Sequence, residues 1–150
     1  MGREIKYRGK RVDNGEWIYG SLINNTFQTN DGKILMYIID DDMEYDCWEH
    51  IAEQLEDYEV IPETVGQYIG LDDKNGIEIY EGDIVQATWY SYEEPECETF
   101  GEVIFNNGWL SFCIWDESNK TMSEMNGQGY YTWEIEVVGN KLDNSELLEK

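Results

Sequence analysis

Positive charge is what this chain most lacks. Ten Lys and Arg stand against 33 Asp and Glu in 150 residues, a formal net charge of −23. A field of that sign repels DNA, RNA and anionic membrane surfaces, and it attracts cations and basic proteins. Direct nucleic-acid binding and membrane binding are therefore not expected. Histidine is almost missing as well: His50 is the only one. A Ser-His-Asp or Cys-His arrangement would have to use it, and no nucleophile elbow is present. Cysteine is sparse and scattered, at Cys47, Cys97 and Cys113. An odd, unpaired set reads as reduced thiols in a cytoplasmic protein. The two prolines, Pro62 and Pro95, mark no Pro-rich linker. The longest apolar run, Ile34 to Ile39, is too short to span a bilayer. The opening M-G-R-E-I-K has no apolar core of the signal-peptide kind, and Lys6 breaks the myristoylation pattern after Gly2.

What is present is aromatic and β-forming. Hydrophobic residues make up 41% and aromatics 14%, with six Trp and eleven Tyr, enough to bury a core despite the charge. A single domain over 1–150 is the default at this length. It reads as two parts, N-terminal strands with an acidic helix over 1–62 and barrel-like strands over 63–150. No internal repeat or low-complexity segment is visible.

Period-two patterning dominates. Strands are expected over 3–12, 16–23, around Phe27, and over 33–39, 66–71, 77–80, 84–92, 100–106, 109–115 and 130–138. The fold class is therefore mainly β (α+β). From Gly82 onward the spacing of strand, long loop, hairpin and strand suits a small SH3-like barrel. Residues 118–129 read as a long loop. Asn144 or Ser145 is placed to cap a short helical turn near the C-terminus. Asn75-Gly76 and Asn107-Gly108 read as tight hairpin turns. Asp72 and Asp73 can fold back on nearby amides, and Gly82-Asp83 turns the chain into the next strand. The five turn residues Asp73, Asn75, Gly76, Gly82 and Asp83 are read as structural.

One stretch breaks the pattern. Trp48, Ile51, Ala52 and Leu55 follow helical spacing, which predicts one short helix over 46–57. Asp46, Glu49, Glu53, Glu56 and Asp57 cover its other faces. Residues 40–63 hold eleven Asp or Glu and no Lys or Arg. By contrast, residues 1–11 hold Arg3, Lys6, Arg8, Lys10 and Arg11 against Glu4, a local +4.

Catalytic and metal chemistry find little footing. Cys47 and His50 make only two zinc ligands, without a second pair. An EF-hand register from Asp42 places Cys47 where glycine is required. G-I-E-I-Y-E-G lacks the Lys-Ser/Thr of a phosphate loop. Carboxylate pairs are too common to single one out. No metal, no cofactor and no enzymatic activity are expected. The acidic face Asp46, Glu49, Glu53, Glu56 and Asp57 is the sharper idea. Carboxylates repeated along a helix can stand in for duplex phosphates in a basic cleft. The plain alternative is a solvated helix face.

Several blocks also resemble one family. They are R-E-I-K-Y-R-G-K-R at Arg3–Arg11, G-E-W-I-Y-G at Gly15–Gly20, P-E-T-V-G-Q-Y-I-G-L at Pro62–Leu71, D-K-N-G-I-E-I-Y-E-G-D-I-V at Asp73–Val85 and V-V-G-N at Val137–Asn140. In this order they look like the YopX-like proteins of phages and prophages. The resemblance implies an irregular, branched antiparallel sheet, self-association, a phage accessory role and the cytoplasm of the host cell. It implies no assigned activity. The acidic stretch 40–63 lies outside the family pattern. The expected function is a non-enzymatic protein-binding module working as a homo-oligomer. The alternatives are an acidic DNA mimic that blocks a basic host protein, and a small-molecule-binding or hydrolytic protein.

Overall fold

A computed structural model describes residues 2, 4–25, 29–40, 43, 53–90, 96–117, 121–124 and 132–149. It is mostly β, with two antiparallel sheets. The strands are β1 (Tyr7–Lys10), β2 (Trp17–Asn25), β3 (Leu35–Ile39), β4 (Glu59–Val60), β5 (Gly66–Asp72), β6 (Glu78–Tyr80), β7 (Asp83–Tyr90), β8 (Cys97–Asn106), β9 (Ser111–Asp116), β10 (Thr121–Glu124) and β11 (Thr132–Asn140). The chain divides into two compact units, Met1–Tyr68 and Ile69–Lys150. That division falls inside β5, whereas the sequence reading divides at 62/63.

In the first unit the alternation of β1 and β2 puts apolar residues on one face and cations on the other, although Arg8 is itself buried. Tyr7 packs against the cluster of Ile18, Ile38 and Val60, joined by Leu22, Met36, Tyr58 and Val65. Gly9 lies so close that a Cβ there would stand 3.1 Å from both Ile38 and Val60. The intervening cations turn to the other face. Arg8 and Lys10 stand over the Trp17 ring, 4.7 and 5.4 Å from its centre. Arg11 makes a two-pronged contact with Asp13, at 2.6 and 3.0 Å. Most of the basic N-terminal run is thus engaged within its own chain.

The branching takes a specific form. The first half of β2 pairs with β1, and its second half pairs with β3. β3 then pairs with β4, and a single bridge from Arg11 to Val60 returns the end of β1 to β4. β1 also pairs with the start of β5 through Tyr7–Gln67 and Arg8–Gly66. The first sheet has the order β4-β3-β2-β1-β5-β6.

The second sheet has the order β10-β9-β8-β7-β11. Its core joins Ile69 and Ile79 to Val85, Ala87, Val103, Ile114 and Ile135. The barrel expected from Gly82 onward is corrected: this sheet is open. Closure would need β10 to meet β11, and among the described residues no such pairing occurs. The physical reason lies on the outer edge of β11. The Lys74 amide bonds to the Ile135 carbonyl at 2.8 Å, and the Val137 amide donates to the Asp73 carboxylate at 3.0 Å. That edge is already occupied.

Other expectations are also refined. Part of the expected loop 118–129 is a strand, β10, which pairs with β9. The helix expected over 46–57 lies mostly outside the described residues. Its described end, Glu53 and Gln54, is helical and runs into a 3-10 turn, Leu55–Tyr58. The strand expected around Phe27 also lies outside them. The C-terminal turn forms at Ser145–Leu148 without a side-chain cap. Asn144 instead accepts the Asn140 amide at 3.2 Å, beside Gly139, where a Cβ would stand 2.7 Å from the Asn144 oxygen.

Candidate functional site

The five turn residues read from the sequence form two built corners. Asp73 opens a three-residue loop. Its amide bonds to the Ile77 carbonyl at 2.7 Å, and its carbonyl accepts the Gly76 amide at 3.0 Å. Only Gly76 uses a positive φ, 79°, while Asn75 does not. The expected two-residue turn is therefore a three-residue loop with a left-handed glycine at its end. One oxygen of Asp73 accepts the amides of Asn75 and Ile77 at 2.7 and 3.0 Å, and the other accepts Val137. Asp73 is buried, 7% exposed. Burial works to raise its pKa, but the hydrogen bonds from Ile77, Val137 and Asn75 outweigh it and hold the carboxyl below its ordinary value. At the next corner Gly82 has φ 87°, which suits glycine. Asp83 is buried and accepts the Tyr80 amide at 2.8 Å. These residues fix the backbone of two corners.

The acidic face is placed only in part. Asp46 and Glu49 lie outside the described residues. Glu53, Glu56 and Asp57 are exposed. Glu56 and Asp57 sit in the first turn of the 3-10 segment. Of the thiols, Cys113 is fully buried, and burial pushes its pKa up, which disfavours the thiolate. Cys97 is half-buried. Cys47 and His50 lie outside the described residues. Among the described residues no three potential ligands gather into a metal site.

The feature that sequence reasoning missed is the β8–β9 hairpin tip. Its strands carry an apolar row outward from the core. Val103 pairs with buried Ile114. One row further, Phe105 pairs with Phe112, ring edge to ring face, with centroids 5.2 Å apart. The strands end at Asn106 and Ser111, so the loop has four residues, Asn107–Leu110. This corrects the expected Asn107-Gly108 turn. The Asn106 side chain accepts the amides of Gly108 and Trp109 at 2.8 and 2.9 Å, which forces the longer loop. The left-handed position falls not on a glycine but on Leu110, at φ 53°. It is the one non-glycine with positive φ among the described residues. Leu110 is 78% exposed and Trp109 45%.

A leucine in the left-handed region costs about 1–2 kcal/mol. Here that strain aims an apolar side chain into solvent. The surrounding sequence is unusual for this chain. Residues 103–115 carry no charge at all. Only one other uncharged stretch exceeds ten residues, 17–30. The signal was therefore visible in the sequence, as a gap in the charge rather than as a motif.

The comparisons agree with this fold. A crystal structure of protein EF1440 from Enterococcus faecalis superposes with a TM-score of 0.50 at 21% identity, covering 98% of this chain and 99% of that one. No curated protein matches the chain. No described helix is long and apolar enough to cross a membrane. The family described as YopX protein matches residues 6–149, nearly the whole chain, and the chain belongs to that family.

Proposed function

We propose that this chain is a non-enzymatic, phage-type accessory protein that acts in the host cytoplasm by binding protein, and that it assembles with copies of itself through the β8–β9 tip. One observation carries the reading: strained Leu110 and half-exposed Trp109 sit within the charge-free stretch 103–115, at a hairpin tip, in a chain of net charge −23. Two such copies repel wherever carboxylates meet. Their contact is least opposed where no charge is present, and interface cores are depleted of charge and enriched in aromatics. A basic partner, by contrast, has the whole acidic surface to choose from.

The test is sedimentation of wild type against Trp109→Ala and Leu110→Gly. A hot-spot aromatic is worth about 2 kcal/mol or more, so either change should weaken self-association about 30-fold. Unaltered assembly in both variants would remove the tip from the reading. Assembly weakened only by substitutions elsewhere would move the interface there.

A second reading is capture of a basic host protein through a DNA-like acidic face. It is favoured by the exposure of Glu53, Glu56 and Asp57. This contact is electrostatic and depends on salt. The two readings use different surfaces and separate by their response to ionic strength.

A further inference from the structure

An asparagine followed by glycine can lose its side-chain amide to water without an enzyme. The glycine nitrogen attacks the asparagine side-chain carbon, and no Cβ stands in its way. Three such pairs lie among the described residues, Asn14-Gly15, Asn75-Gly76 and Asn107-Gly108, while Asn126-Gly127 lies outside them. The structure holds the three differently. The Asn14 side chain is fixed at both ends: its oxygen accepts the Glu16 amide at 2.9 Å, and its nitrogen donates to the Glu16 carboxylate at 3.2 Å. Asn75 bonds the Asp73 carboxylate through both its backbone and its side chain. In both pairs the glycine amide is tied to a main-chain carbonyl, Gly15 to Arg11 and Gly76 to Asp73, each at 3.0 Å. Asn107 is exposed, and its side chain makes no hydrogen bond among the described residues. The Gly108 amide is held not by main chain but by the Asn106 side chain, at 2.8 Å. Rotation of that one side chain frees the attacking nitrogen.

We propose that Asn107 is a site of self-deamidation, and that the carboxylate formed there weakens assembly at the hairpin tip. The Gly108 nitrogen bonds to the Asn107 side-chain carbon and gives up its proton, and the side-chain nitrogen leaves as ammonia. Water then opens the cyclic imide at either carbonyl, which leaves aspartate or isoaspartate. Either product puts a full negative charge into 103–115, where the chain has none. Isoaspartate also lengthens the backbone of the loop that the Asn106 oxygen spans through Gly108 and Trp109. Like charges brought together across an interface oppose it. The effect on assembly rests on the reading that copies meet through the tip; the modification itself does not.

Full-length protein held at mildly alkaline pH, then digested and followed by peptide mass and isoaspartate content, tests the site. Asn107 should convert about fivefold or more ahead of Asn14 and Asn75, the protection that one net hydrogen bond gives. Conversion of Asn107 no faster than that of Asn14 would overturn the site. Sedimentation then compares fresh protein, aged protein, Asn107→Asp and Trp109→Ala. Aged protein and Asn107→Asp should self-associate about tenfold more weakly than fresh protein. Aged Gly108→Ala should keep the strength of its fresh form, because the added Cβ hinders the attack. The loop accepts that change: Gly108 has no positive φ, and the Cβ would meet only the Asn106 oxygen, at 3.2 Å. Weakened assembly in Trp109→Ala with none in Asn107→Asp would overturn the control by charge and leave the tip as the interface. Full assembly in both would remove the tip, and the control with it, while the site would stand on its rate.

Discussion

Gly101 lies against the carbonyl of Trp115, so closely that a Cβ would come within 2.1 Å of that oxygen. The contact sits at the handover in β8. Residues up to Glu102 pair with β7, and residues from Glu102 onward pair with β9. Gly101→Ala should force the two strands apart and cost about 2–3 kcal/mol. Urea denaturation of the variant measures this. A loss under half a kcal/mol would mean that the strands shift freely there.

Asp73 makes stability depend on acid in a defined direction. Its folded pKa lies below the ordinary value of 3.8. Its contribution is therefore complete above that value and is lost as pH falls through the folded pKa. Charge-assisted hydrogen bonds of this kind are worth about 2 kcal/mol. Wild type should exceed Asp73→Asn by about that much at neutral pH. The gap should stay constant down to about pH 5 and close in stronger acid. Chemical denaturation across pH checks it, and a gap that widens on acidification would contradict the sign.

Leu110→Gly should have opposite effects on stability and assembly. Removing left-handed strain gains about 1–2 kcal/mol, and the freer unfolded chain returns about 0.4–1 of it. The exposed side chain contributes little packing. The variant should unfold about 0.5–1 kcal/mol later while self-associating less. A variant that is less stable would show that Leu110 packs in its own chain.

Replacing Glu49, Glu53 and Glu56 with Gln removes three charges from the acidic face. A salt-sensitive capture of basic protein should disappear, with thermal unfolding shifted by under about half a kcal/mol, the usual range for surface changes. If the face only solubilises, the variant should precipitate more readily and capture should be unchanged.

The strands were legible where alternation met an apolar face. Ile77 to Tyr80 and Ile84 to Tyr92 fall within two residues of β6 and β7 at every end. β10 escaped because Thr-Met-Ser-Glu carries no alternation, and only its neighbour β9 makes it a strand. The two Asn-Gly sites were legible as turns but not as turn types. Side chains just outside them, Asp73 and Asn106, decide the loop length by the amides they accept. The barrel was misread because strand spacing says nothing about an edge that a distant loop has covered. The hairpin tip has no motif, and it stands out only once the charge-free run is seen to end at a strained leucine.

The bridge from Arg11 to Val60 and the pairing of Arg8 with Gly66 also set an order of events. The first strand can form a local hairpin with β2 as soon as both have left the ribosome. Its other bonds must wait until about forty more residues have followed, many of them acidic. Until then Gly9 has no Val60 to rest against, and the apolar face of the early hairpin stays uncovered. Non-local closure of this kind is slow and leaves nascent chains open to wrong contacts. A synthesis pause placed before residue 60 should therefore lower the yield of folded protein more than one placed after residue 68.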